Sequence, residues 1–302
     1  MQRIYPYRNF CIGLFMIMAA VFGPLRAQQE QDLLSLLGRE ETTEYAAASF
    51  KTNRVINLHS LENTASGVLD AKISHRFGFF KGGAYELFGL DQATIRIGLD
   101  YGLSDRLTIG VGRSSFQKTY DGFLKYKLLR QSSGLKSMPV TLAILGTAAI
   151  QTLKWTEPQR DNLFTSRLYY TAQVILGRKF CNTFSFQISP TLVHRNLVAT
   201  KAEENDVFAV GFAGRFKLNK RLSINSEYIY VLPDQLDQRY RNSVSIGFDI
   251  ETGGHVFQLH FTNSTSMIEK GFIAETEGDW GDGGIHFGFN ISRVFTLAKP
   301  KE

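Results

Sequence analysis

Beyond its first two dozen residues, the sequence lacks any apolar run long enough to cross a bilayer as a helix. The longest later stretch, Met138 to Ile150 (MPVTLAILGTAAI), falls well short of the roughly 20 residues a helical crossing needs. Cysteine is nearly absent. Cys11 and Cys181 are the only two, which excludes a disulfide framework and leaves no zinc-ligand spacing. Proline is scarce, with 7 residues in 302, and no Pro/Ser-rich linker divides the chain after residue 68. Charge of one sign is missing as well. The formal net charge is +6, but Arg3, Arg8 and Arg26 belong to what reads as a leader, and without them 31 basic residues face 28 acidic ones. So small an excess makes no basic patch for nucleic acid. G-x-S-x-G, H-E-x-x-H and a phosphate-binding loop are also absent, which removes the usual sequence marks of an enzyme.

The N-terminus carries a leader. Arg3 and Arg8 supply the positive region, Phe10 to Phe22 (FCIGLFMIMAAVF) is apolar throughout, and Ala27 precedes Gln28 as a small residue for signal peptidase. Residues 1–27 are therefore expected to be a cleaved export signal, although Leu25 is bulky for its place. The apolar run is too short for a comfortable membrane anchor, and Cys11, inside it, has no lipobox around it.

From residue 69 onward the chain alternates apolar and polar residues with period two, the pattern of strands with two unlike faces. Ala93, Ile95, Ile97, Leu99 and Tyr101 oppose Thr94, Arg96, Gly98, Asp100 and Gly102. Val244, Ile246, Phe248 and Ile250 do the same against Ser243, Ser245, Gly247 and Asp249, and Phe184, Phe186 and Ile188 against Ser185, Gln187 and Ser189. Twelve such segments can be drawn: 69–78, 92–102, 105–114, 119–129, 138–151, 163–178, 183–195, 206–217, 221–232, 241–251, 254–263 and 284–297. They run to about ten residues, the length of a tilted strand crossing hydrocarbon. Short and long links between them largely alternate, as the two ends of an outer-membrane barrel require. The links at 115–118 and 130–137 depart from that rhythm. Lipid cannot satisfy the open edge of a sheet, so the strands must close on themselves. The expected fold is all-β: an antiparallel transmembrane β-barrel of about 12 strands over residues 69–297. A short helical and extended segment, 28–68, precedes it and a tail, 298–302, follows.

Within the first segment, residues 30–44 read as a short amphipathic helix. Residues 50–62 read as a further strand centred on Val55 and Ile56, belonging to a lumenal plug, a periplasmic docking element or a tether capping the barrel's inner end. The last strand, Ile285 to Leu297, has Phe287, Phe289, Ile291 and Phe295 on one face, the aromatic pattern that barrel-insertion machinery recognises, with Arg293 interrupting it. Tyr101, Phe184, Tyr228, Tyr230, Phe261 and Phe287 lie near segment ends, where an aromatic girdle belongs.

Four phrases carry a resemblance: FKTNRVINLHSLEN (50–63), LDAKISHRFG (69–78), LFGLDQATIRIGLDYGLSDRLTIGVGRSS (87–115) and KTYDGFLKYKLLRQ (118–131). Together they are similar to a family of barrel proteins from Gram-negative bacteria, a domain of unknown function, over a stretch from about residue 33 to the C-terminus. That resemblance implies an outer-membrane barrel and brings no activity, ligand or catalytic residue with it.

On the polar faces stand Asp70, Lys72, Arg76, Arg96, Asp100, Lys125, Lys127, Arg195, Arg215, Lys217, Glu227 and Asp249, with His260 and His286 near the 264–283 link. Pointing inward, they would line a narrow lumen in which basic residues outnumber acidic ones, a channel or binding barrel for small anionic solutes. The competing expectation is a lumen filled by its own salt bridges, with a structural or partner-docking role. Third comes a lipid-modifying enzyme on the barrel wall, for which Ser114, Ser115 and His194 cannot be brought together on paper. Two histidines make a weak metal site, and the acidic glycine-rich stretch Glu277–Gly284 lacks calcium-loop spacing and reads as a mobile external loop. No cofactor, metal site or catalytic residue is expected. The expected partners are outer-membrane lipid, the insertion machinery, and a periplasmic protein docked through residues 28–62; the expected location is the outer membrane of a Gram-negative bacterium.

Overall fold

A computed structural model describes residues 42–201 and 203–298. The leader lies outside these residues, as does the helix expected over 30–44 apart from its last three positions. Those three are extended: Thr43–Tyr45 forms a short strand, β1.

Twelve strands build the wall: β2 (Val68–Phe79), β3 (Ala93–Ser104), β4 (Leu107–Ser114), β5 (Thr119–Leu129), β7 (Thr141–Gln151), β8 (Leu168–Lys179), β9 (Phe184–Arg195), β10 (Asp206–Lys217), β11 (Leu222–Val231), β12 (Ser243–Thr252), β13 (His255–Thr262) and β14 (His286–Thr296). The remaining strand, β6 (Ser132–Gly134), pairs only with β1. Each wall strand pairs antiparallel with the next, and β14 returns to β2 through Phe289↔His75 and Val294↔Asp70, closing the barrel. An even count brings both termini of the wall to one end, called here the terminal end. The opposite end carries the longer links.

The periodicity decides which way side chains face. Along β3, Ile95, Ile97 and Leu99 are exposed on the outside while Arg96 and Asp100 are buried within. Ile246, Phe248 and Ile250 of β12 are likewise exposed, and Ser243, Ser245 and Asp249 buried. A soluble protein would not leave so many large apolar side chains in water; a lipid-facing wall requires them.

Strand boundaries agree closely with the alternation, and the exceptions have local causes. β8 starts later than expected because Phe164–Arg167 forms a 3₁₀ turn. The long terminal-end link after β5 carries β6, whose partner β1 comes from the N-terminal segment, which accounts for its unusual length. The strand expected over residues 50–62 does not form. That stretch bends back on itself inside the barrel, with Val55 N donating to Leu58 O at 2.7 Å, Ser60 N to Asn53 O at 2.9 Å, and a single bridge between Arg54 and His59. The external loop expected over 264–283 also needs correcting. Residues 263–276 turn into the lumen and carry α1 (Glu269–Ala274), every residue of which is buried. Only the remainder stays outside, with Glu277 and Trp280–Asp282 exposed.

Candidate functional site: the filled lumen

The lumen is two-sided. Along β5 to β11 the inward positions include Phe123, Leu145, Ile175, Val193, Val207 and Ile229, all buried in one apolar cluster. Across the barrel, β12 to β4 turn inward Asp249, Gln258, His260, His286, Lys72, Arg76, Arg96 and Asp100, all buried. The two segments that enter the lumen bring matching surfaces. From the terminal end, residues 49–64 contribute Phe50, Val55, Leu58 and Leu61 to the apolar cluster; from the other end, Phe272, Ile273 and Ala274 join it.

The wall's polar groups are spent on the backbone of the N-terminal insert. Glu227 accepts from the backbone N–H groups of Ile56 (3.3 Å), Asn57 (3.0 Å) and Leu58 (3.0 Å), so one carboxylate sits in the nest formed by the turn. The Lys125 ammonium donates to the carbonyl oxygens of Asn53 (3.2 Å), Ser60 (3.1 Å) and Glu62. Gln187 accepts from Leu61 N at 3.1 Å and donates to His59 O at 2.7 Å, while Gln258 donates to Val55 O at 2.5 Å. Arg215 caps the entry by donating to Ala48 O (2.6 Å) and Ser49 O (3.2 Å). A buried turn without secondary structure leaves its peptide groups unpaired unless side chains reach them. Here the wall supplies those side chains.

The remaining predicted lumen charges are paired or tied. Arg96 forms a two-point bond with Asp121, its Nε donating to Oδ1 at 3.0 Å. Its guanidinium fits because Gly98 and Gly112 flank it; a Cβ on Gly112 would stand 2.3 Å from Nη2. Lys72 lies 2.8 Å from Asp100 and 3.3 Å from Asp70, and Asn53 of the insert donates to Asp100 at 2.7 Å. Asp249 accepts from Gln258 at 2.6 Å. Arg195 bonds Glu203 (2.8 Å) and Glu204 O (2.7 Å) at the far end. Arg76 reaches Asn57 and the carbonyls of Ser264 and Ser266, linking the two inserts through the wall. The inserts also touch directly: Arg54 is 2.9 Å and His59 3.4 Å from Glu269. Lys127 and Lys217 stand half-buried near the terminal end.

The two histidines do not share a ligand. His260 is buried between Gly247 and Gly288, whose missing side chains make room for its ring. His286 is bound elsewhere, its Nε2 2.8 Å from Thr265 and its Nδ1 2.8 Å from Phe77 O. Among the described residues no cluster of three or more His, Cys, Asp or Glu side chains forms. The serine and histidine a hydrolytic site would need stand apart: Ser114 is buried facing inward, whereas His194 is a surface residue of β9 bonded to Asp206 and Asn196. In the outer loop, the Gly281 N–H and then Arg241 hold the Asp279 carboxyl below its ordinary range.

Sequence reasoning found the wall charges but missed their partners. Asp121, Gln187 and Gln258 lie on the polar face of named strands and were visible by period two. Arg54 and Glu269 were not, because neither sits on a strand.

Closed wall, lipid-compatible exterior and filled interior define a membrane-embedded β-barrel with a polar, self-occupied lumen. Residues 50–295 match the family described as membrane bound beta barrel domain (DUF5777), and the chain belongs to that family. The match begins at residue 50 rather than near 33. No curated protein matches the sequence. Among solved structures, the NanC porin aligns at 9% identity over 76% of this chain and 98% of its own, with TM-score 0.47. The COG4313 outer membrane channel from Pseudomonas putida F1 aligns at 14% identity over 78% and 98%, TM-score 0.44. Omp33 of Acinetobacter baumannii aligns at 8% over 75% and 97%, TM-score 0.40.

Proposed function

We propose that this protein is a closed barrel of the Gram-negative outer membrane that acts through what its two ends present, rather than an open anion channel. One observation carries the reading: the buried cations expected to draw anions, Lys72, Arg76, Arg96, Lys125, Arg195 and Arg215, are engaged by the chain's own carboxylates, carbonyls and amides. A solute would have to displace those partners, at the cost of leaving buried charge unpaired. The terminal end faces the periplasm, since barrels of this kind keep their termini there. The chain preceding Ser49 and the β1–β6 pair would meet a periplasmic partner, and the last strand would engage the insertion machinery.

The test is current through a planar bilayer holding the mature barrel, with and without residues 28–62, after heat-modifiable migration has verified folding. No steady current is expected from the full protein. Current that appears only after truncation would make the N-terminal segment the stopper. Steady anion-preferring current from the full protein would overturn the proposal.

A further inference from the structure

The outer wall carries a depression that the lumen does not explain. Outward residues of β5, β7, β8, β9 and β10 align across the strands as Leu124↔Gly146, Gly146↔Ala172, Ala172↔Leu192 and Leu192↔Phe208. Two small residues between larger ones make a trough of about 690 Å³. A Cβ built on Gly146 meets nothing within 4 Å. Beside this row lies Pro190, which pairs with Val210 on one side. On its other side the ladder lapses: β8 and β9 pair through Gln173↔Thr191 and resume only at Leu176↔Ile188. Proline has no N–H to donate, and a wall strand is a costly place to lack one.

One step toward the far end, the same strands carry a polar row. Ala148 pairs with Tyr170, Tyr170 with His194, and His194 with Asp206. The Tyr170 and His194 rings stack at 6.3 Å, His194 Nδ1 lies 2.6 Å from Asp206 Oδ1, and its Nε2 lies 2.9 Å from Asn196 Oδ1. These are outward groups at the end of an apolar trough, the arrangement of a head beside a tail.

We infer that the β7–β10 wall binds one phospholipid with an amine headgroup, its acyl chain in the Gly146–Ala172–Pro190 trough and its ammonium at Asp206 and the Tyr170 ring. The sign of the charge selects the head. A His–Asp pair is negative or neutral, never positive, so it suits an ammonium and repels a purely anionic head. The concavity selects the tail, since a second convex barrel wall cannot enter it.

Native mass spectrometry of the full-length protein, offered equal amounts of phosphatidylethanolamine and phosphatidylglycerol with identical chains, tests this. The expected result is one retained phosphatidylethanolamine per barrel, favoured about tenfold over phosphatidylglycerol. Gly146→Phe should abolish retention of both, and Asp206→Asn should bring the ratio near one. Val111→Phe, on the exposed outer face of β4, should leave both unchanged. If Gly146→Phe fails the heat-modifiability check, Ala172→Leu fills the same trough. Equal retention of the two lipids by the unaltered protein, retention that survives filling the trough, or a dimer in place of bound lipid would each overturn the inference.

Discussion

Residues 49–64 and residues 263–276 occupy the same lumen, yet each meets it with different chemistry. The N-terminal insert has little regular structure, so its peptide groups are satisfied by wall side chains: Glu227, Lys125, Gln187, Gln258 and Arg215. The second insert satisfies part of its own backbone through α1 and meets the wall mainly with Phe272, Ile273 and Ala274. A segment that makes its own hydrogen bonds needs an apolar socket; one that does not needs a polar cradle. The two sides of the lumen, apolar along β5–β11 and polar along β12–β4, reflect both demands.

Three substitutions would break or sharpen that contrast. Phe272→Ala should have the largest effect, roughly 3–5 kcal/mol for deleting a fully buried aromatic from a packed core, read by denaturant unfolding of the barrel in lipid vesicles. The loss should be concentrated in the second insert, so protease should cut within 263–276 before the wall unfolds. Glu227→Ala comes next, at about 2–3 kcal/mol, because three buried N–H groups lose their acceptor while their surroundings stay dry. Its signature is faster amide exchange at Ile56, Asn57 and Leu58 with α1 still protected; if α1 exchanges equally fast, the inserts are one cooperative unit and the contrast fails. Smallest is the coupling between the inserts. A double-mutant cycle on Arg54→Met and Glu269→Gln should give an interaction energy of about 1–2 kcal/mol, and a value near zero would mean that the contact only accompanies their packing.

Much of the wall was legible in the residues themselves. Ile95, Ile97 and Leu99 against Arg96 and Asp100 determine one strand's two faces without any knowledge of its neighbours. Closure followed from the same pattern, because twelve lipid-facing strands have no tolerable open edge. Even the two-sided lumen left a trace in Met138 to Ile150, which is apolar on both faces because β7 has lipid outside and the cluster around Leu145 inside. The link at 130–137 looked anomalous for a related reason: its partner β1 lies nearly ninety residues earlier in the chain.

What the sequence by itself determined, then, was the barrel, since period-two alternation is a local property read within one strand. What only the tertiary structure decided was the state of the lumen. Whether Lys125 faces water or three carbonyls, and whether Glu227 attracts a solute's cation or holds the turn at Asn57, depends on segments far apart in the chain. An inward charge looks the same in sequence in an open pore and in a filled one. The difference lies in what the folded chain brings within 3 Å of it.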